Sequence, residues 1–167
     1  MAVTSSVNID APPDKVWSVL ADLGSIYKWN PGVAKSHSTS ELTQGEGATR
    51  HCDLDDKNHL EERAFDWHEG ESFKIDVTES TLPLESNIVS FQIAPAGDTP
   101  GGDGTRVSVT ADYKLKYGII GTLMDVLFAK RQSQQAFDDM MAGLKHYVET
   151  GEEIGDEVPV AASASAI

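Results

Sequence analysis

Residues 107–148, VSVTADYKLKYGIIGTLMDVLFAKRQSQQAFDDMMAGLKHYV, pass from one period to another. Val107, Val109, Ala111, Tyr113 and Leu115 alternate with Ser108, Thr110, Asp112 and Lys114, the two-residue period of a half-buried strand. From near Gly118 the chain is free of proline, and Leu123, Leu127, Phe137, Met141, Leu144 and Val148 recur at helical spacing. The middle of that face carries Lys130 or Arg131 and then Gln134. A helix that is apolar at both ends and polar between them either borders a cavity there or runs through solvent. A last strand feeding one long terminal helix is the frame on which the rest of the chain is read.

Upstream, Val3, Ser5, Val7 and Ile9 share one face of a strand that Asp10-Ala11-Pro12-Pro13 ends. Proline suits a first helical turn, and Val16, Trp17, Leu20 and Leu23 mark an amphipathic helix ending at Gly24. A second short helix or turn runs through Tyr27-Lys28-Trp29 and stops at Asn30-Pro31-Gly32. Six strands are expected near 33–42, 47–54, 58–68, 71–79, 85–94 and 105–116, separated by turn residues such as Asp55-Asp56-Lys57-Asn58 and Glu69-Gly70. Short separations imply antiparallel hairpins. The glycine-rich run between Gly97 and Gly104 is expected to be a mobile hairpin tip. The sequence therefore predicts an α+β domain: a seven-stranded antiparallel sheet curved around a long C-terminal helix, with two short helices after the first strand. Such a sheet must bury one face, and one helix covers only part of it.

Several local patterns, taken in order, resemble the START-like (SRPBCC, helix-grip) superfamily, in particular its polyketide cyclase/dehydrase and lipid-transport branch. Ile9-Asp10-Ala11-Pro12-Pro13-Asp14-Lys15-Val16-Trp17 resembles that family's passage from strand to helix. Leu23 through Trp29-Asn30-Pro31-Gly32-Val33 is similar to its second helix and exit. Glu46-Gly47-Ala48-Thr49-Arg50, Leu60-Glu61-Glu62-Arg63, Leu82-Pro83-Leu84 and Gly104-Thr105-Arg106-Val107 resemble its strands. The resemblance covers about residues 2–150. It implies the helix-grip fold and a pocket, but no universal catalytic set, since members include cyclases, dehydratases, carriers and interaction modules.

The inward faces are expected to hold Phe73 and Ile75, Val89 and Phe91, and Val109, Ala111 and Tyr113, as core or as cavity wall. Leu123, Leu127 and Arg131 would face them from the helix. Trp29 is either an aromatic wall at the cavity mouth or packing at the helical corner. On the strand 58–68 the more aromatic face, with Phe65 and Trp67, is assigned inward. That would aim Glu61 and Arg63 at the concave side, to hold a ligand oxygen or to pair with each other. His51 and Asp53 share a strand face, with Cys52 on the opposite one, and a His–carboxylate pair beside a cavity could move protons near neutral pH. His51, Asp53 and Tyr113 are thus the catalytic candidates.

Thirteen Lys and Arg face twenty-seven Asp and Glu, a net charge of −14, which disfavours nucleic acid and anionic membrane surfaces as partners. Residues 149–167 hold five acids and no base; the domain is set at 1–150, and 151–167 is read as an acidic tail, disordered beyond about 155. One cysteine excludes an internal disulfide, and no metal is expected, because the histidines show no ligand spacing. No phosphate loop, nucleophile elbow or dinucleotide motif is present, so no cofactor is expected. With no signal peptide or membrane-spanning run, the expected compartment is the cytoplasm. The expected function is binding of a small hydrophobic ligand, lipid-, polyketide- or isoprenoid-like. The alternatives are a cyclase or dehydratase using the same pocket, and an interaction module whose cavity is filled by side chains.

Overall fold

The computed structural model describes residues 2–97, 104–116 and 123–154, with only the backbone of 123–129. The elements are β1 (Ala2–Ile9), α1 (Pro13–Ala21), a 3₁₀ segment (Leu23–Lys28), β2 (Lys35–Ser38), β3 (Thr49–Asp53), β4 (His59–His68), β5 (Ser72–Ser80), β6 (Leu84–Pro95), β7 (Thr105–Leu115) and α2 (Leu123–Thr150). The strands form one antiparallel sheet in the order β1-β7-β6-β5-β4-β3-β2. This is the α+β helix-grip architecture, with short helices after β1 and the long helix α2 at the C-terminal end.

The alternation in β1, β5, β6 and β7 has its expected sense. Val3 and Ile9, Phe73 and Ile75, Val89 and Phe91, and Val107, Val109 and Ala111 are all buried. From α2, Met140, Met141, Leu144 and Val148 pack into the same core. Side chains of α2 also reach the open edge of β1: Gln134 Nε2 donates to Thr4 O at 3.0 Å and Lys145 Nζ to Asn8 O at 3.0 Å. Those contacts satisfy edge carbonyls that would otherwise be free to pair with another strand.

β2 is shorter than the expected 33–42. Beyond Thr39, whose N–H still donates to Thr49 O at 2.9 Å, the ladder gives way to side-chain bonding: Ser40 Oγ accepts from Thr49 N at 2.9 Å and donates to Leu42 O at 2.7 Å. A serine hydroxyl close in sequence competes here with a strand partner for the backbone. The β4–β5 hairpin turns at Gly70, whose φ of 75° favours glycine.

The larger departure is in β4. Glu62 and Ala64 are buried, while Arg63 is exposed and Phe65 only half-buried. The face carrying Glu61, Arg63 and Phe65 therefore points outward, opposite to the expectation. Pairing with β5 slips between Phe65 and His68, and Asp66 takes a φ of 50° there. The bulge changes the side on which the next residues lie. Trp67 returns inward, 4.8 Å from Phe73 and 5.3 Å from Trp17 between ring centroids. Counting Phe65 and Trp67 on one face failed because that face is broken between them.

The side chains of Leu123 and Leu127, the hairpin tip at 98–103 and the tail beyond Ile154 lie outside the described residues.

Candidate functional site

A cavity of about 630 Å³ lies between the sheet and α2. Its apolar wall includes Val33, Leu54, Leu60, Val89, Phe91 and Met140. The corner after the 3₁₀ segment contributes Asn30, Pro31 and Gly32, and α2 contributes Arg131, Gln135, Ala136 and Phe137. The polar middle of the helix thus borders the cavity through Arg131 and Gln135, whereas Gln134 turns to β1.

β3 and β4 put a charged cluster into this wall. Arg50 pairs with Glu62 across the ladder, and Arg50 Nε donates to Glu62 Oε2 at 2.6 Å. Both side chains are more than nine-tenths buried. Arg50 Nη1 also donates to Leu23 O at 3.1 Å, tying the strand to the helical corner. Burial works against the guanidinium charge, but the Glu62 carboxylate above all offsets it, and the Arg50 pKa is raised. Cys52 Sγ lies 3.3 Å from Glu62 Oε2. Burial above all, with Glu62 beside it, pushes the Cys52 thiol up, so it stays protonated at neutral pH and is no nucleophile. Asn87, on β6, also lines the cavity, and its Oδ1 is buried without a hydrogen-bond partner among the described residues.

Of the residues expected at the site, the cavity brings together Val89, Phe91 and Arg131. Phe73, Ile75, Val109 and Ala111 are packed into the core. Tyr113 is buried, and its hydroxyl donates to Ser133 Oγ at 3.3 Å. Trp29 is buried at the corner rather than at the mouth, next to the cavity-lining Asn30.

His51 and Asp53 stand on the outer face of β3, because Arg50 and Cys52 take the inner one. There, His51 Nδ1 is 2.5 Å from Glu61 Oε1 and Nε2 is 3.0 Å from Asp53 Oδ1. The rings of His37 and His59 flank it, each at 5.3 Å between centroids. The hydrogen bond to Glu61, then that to Asp53, raises the His51 pKa. This cluster is real, but the sheet separates it from the cavity.

Sequence reasoning missed Arg50, Cys52, Glu62 and Asn87. The available signal was the opposite charge of Arg50 and Glu62, each on the face opposite to the one chosen.

The profile of the family described as polyketide cyclase / dehydrase and lipid transport matches residues 1–149. No match is found among curated proteins. Among solved structures, the fold is similar to a START superfamily protein from Mycobacterium smegmatis, with TM-score 0.72 and 16% identity over 89% of this chain and 97% of that one. It is also similar to the protein TTHA0849 from Thermus thermophilus, with TM-score 0.71 and 20% identity over 89% and 97%. A third is XoxI from Bacillus cereus, with TM-score 0.70 and 16% identity over 88% and 94%. At these identities the structures speak for the fold alone. With the helix-grip sheet, the α2 grip and a profile match across nearly all of the body, the chain belongs to the polyketide cyclase / dehydrase and lipid transport family.

Proposed function

We propose that this chain binds a small hydrophobic molecule, lipid-, polyketide- or isoprenoid-like, in the cavity between the sheet and α2. The observation that carries this is the cavity itself: about 630 Å³, walled mainly by aliphatic and aromatic side chains. That volume falls among ligand pockets, and apolar walls supply affinity while a few polar groups orient the guest. Such a volume argues against the interaction module with a side-chain-filled cavity. Binding is also favoured over catalysis. The histidine–carboxylate set His51, Asp53 and Glu61 lies across the sheet from the cavity, and the one thiol inside is held protonated. Among the described residues no helix is long and apolar enough to cross a membrane. The net charge of −14 supports a partner that is neither nucleic acid nor an anionic bilayer, and the free Cys52 is compatible with the cytoplasm.

The test is uptake of the neutral fluorophore Nile red by the purified chain. Ala136 lines the cavity from α2. Ala136→Trp should narrow the cavity and weaken uptake while circular dichroism stays unchanged. Undiminished uptake by the folded variant would place the binding elsewhere.

A further inference from the structure

The polar groups that the sheet gives the cavity lie in a row across it. Arg50 pairs with Glu62, Glu62 with Val77, and Asn87 with Tyr113. β5 and β6 pair as far as Asp76 with Ile88, and Asn87 is the next β6 residue beyond that point. Two poles result, Arg50–Glu62 at one side and Asn87 at the other, separated by β5. Two strand spacings put them about 10 Å apart.

The poles differ in what they can accept. Arg50 is already neutralised by Glu62 at 2.6 Å, so a ligand carboxylate would find no unbalanced buried cation there. Asp139 and Arg131 are the other charges on the lining. Arg131 is exposed, where an ion pair is screened by water and worth little. The lining charge therefore sums to zero among the described residues. Asn87 is the group with unmet demand: its side-chain oxygen is shielded from solvent and has no hydrogen-bond partner among the described residues. A buried polar atom without a partner is costly, and a guest that supplies the partner recovers that cost. A hydroxyl serves an amide in either orientation, because it both donates and accepts.

We propose that the cavity selects an uncharged hydrophobic molecule bearing a hydroxyl group, and that Asn87 holds that hydroxyl. This rests on the reading that the cavity binds a ligand, and it makes Asn87 a specificity-determining residue. Free fatty acids are then poor ligands, because neither pole offers a carboxylate a free buried charge and the chain carries a net charge of −14.

The test displaces Nile red from the full chain with three guests sharing one alkyl tail: dodecan-1-ol, 1-methoxydodecane and dodecanoate, the last ionised at about pH 8. The methyl ether keeps the oxygen and loses the donor. Dodecan-1-ol should bind about tenfold more tightly than the ether or dodecanoate, the scale of one buried hydrogen bond. In Asn87→Leu the alcohol should fall to the level of the ether while Nile red uptake stays. Equal affinity of alcohol and ether in the wild type overturns the proposal, and needs no variant to fold. So does a retained alcohol preference in folded Asn87→Leu, or tightest binding by dodecanoate, which would hand the head group to Arg131. If the wild type takes up no Nile red, the cavity reading itself fails and this one falls with it.

Discussion

At the residue scale, His51 shows what a histidine contributes when both ring nitrogens meet carboxylates. Nδ1 faces Glu61 and Nε2 faces Asp53, an arrangement that favours the imidazolium, the form with a proton on each nitrogen. The folded pKa is raised above the ordinary value of about 6.5. The folded chain thus keeps a proton that the unfolded chain releases, and the stabilisation is complete below about pH 6.5 and lost as pH rises through the raised folded value. His51→Gln should therefore lower the urea midpoint at pH 6 and change it much less at pH 9. The side chain is about one-fifth exposed, so the pH-dependent part should stay below about 1 kcal/mol. The rings of His37, tilted, and His59, stacked, also pack against His51. An equal loss at pH 6 and pH 9 would mean that His51 acts through packing and not through its charge.

At the element scale, the bulge in β4 decides which side chains reach the core. Asp66 holds a φ of 50°, a region that a β-branched residue enters only under strain. Asp66→Val should cost about 1–3 kcal/mol in chemical denaturation. Asp66→Gly should cost far less, since relief of strain offsets the lost contact with Lys74 at 2.7 Å. If the two variants are equally destabilised, the backbone conformation is not what matters at this position. The same bulge explains how far the site was legible in the sequence. β5, β6 and β7 keep one alternation where they cross the core, so Phe73, Ile75, Val89, Phe91, Val109 and Ala111 were readable as inward. Val89, Phe91 and Arg131 then emerged on the cavity wall. β3 and β4 were not readable in this way. Their buried faces carry Arg50 and Glu62, which look like surface residues one at a time and are buried only as a pair. Hydrophobic counting sees each strand alone, and the pairing of β3 with β4 is a fact about two strands.

At the scale of the whole molecule, the last described residues brace the corner that forms part of the cavity wall. α2 ends at Thr150, and Gly151, with a φ of 75°, turns the chain back. Ile154 N donates to Lys28 O at 2.9 Å, and its side chain packs against the core. Gly143 makes this possible: a Cβ there would overlap both the Trp29 carbonyl oxygen and Ile154 Cδ1. The helix, the 151–154 segment and the corner at 28–33 thus interlock, and Asn30, Pro31, Gly32 and Val33 of that corner line the cavity. Two consequences can be measured. Gly143→Ala must push backbone away from backbone and should destabilise by about 1–3 kcal/mol. Shortening the chain to end at Ile154 keeps the interlock, whereas ending it at Thr150 removes two backbone hydrogen bonds, Gly151 N to Tyr147 O and Ile154 N to Lys28 O, the Lys28–Glu153 ion pair and a partly buried isoleucine. Those together are worth about 2 kcal/mol. The chain ending at Thr150 should melt several degrees below the one ending at Ile154, on the scale of about 2–4 °C per kcal/mol for a domain of this size. It should also take up Nile red more weakly, because the loosened corner is cavity wall. Equal melting points would show that Ile154 rests on the body without holding it. Lower stability with unchanged uptake would show that the corner keeps its shape without the strap.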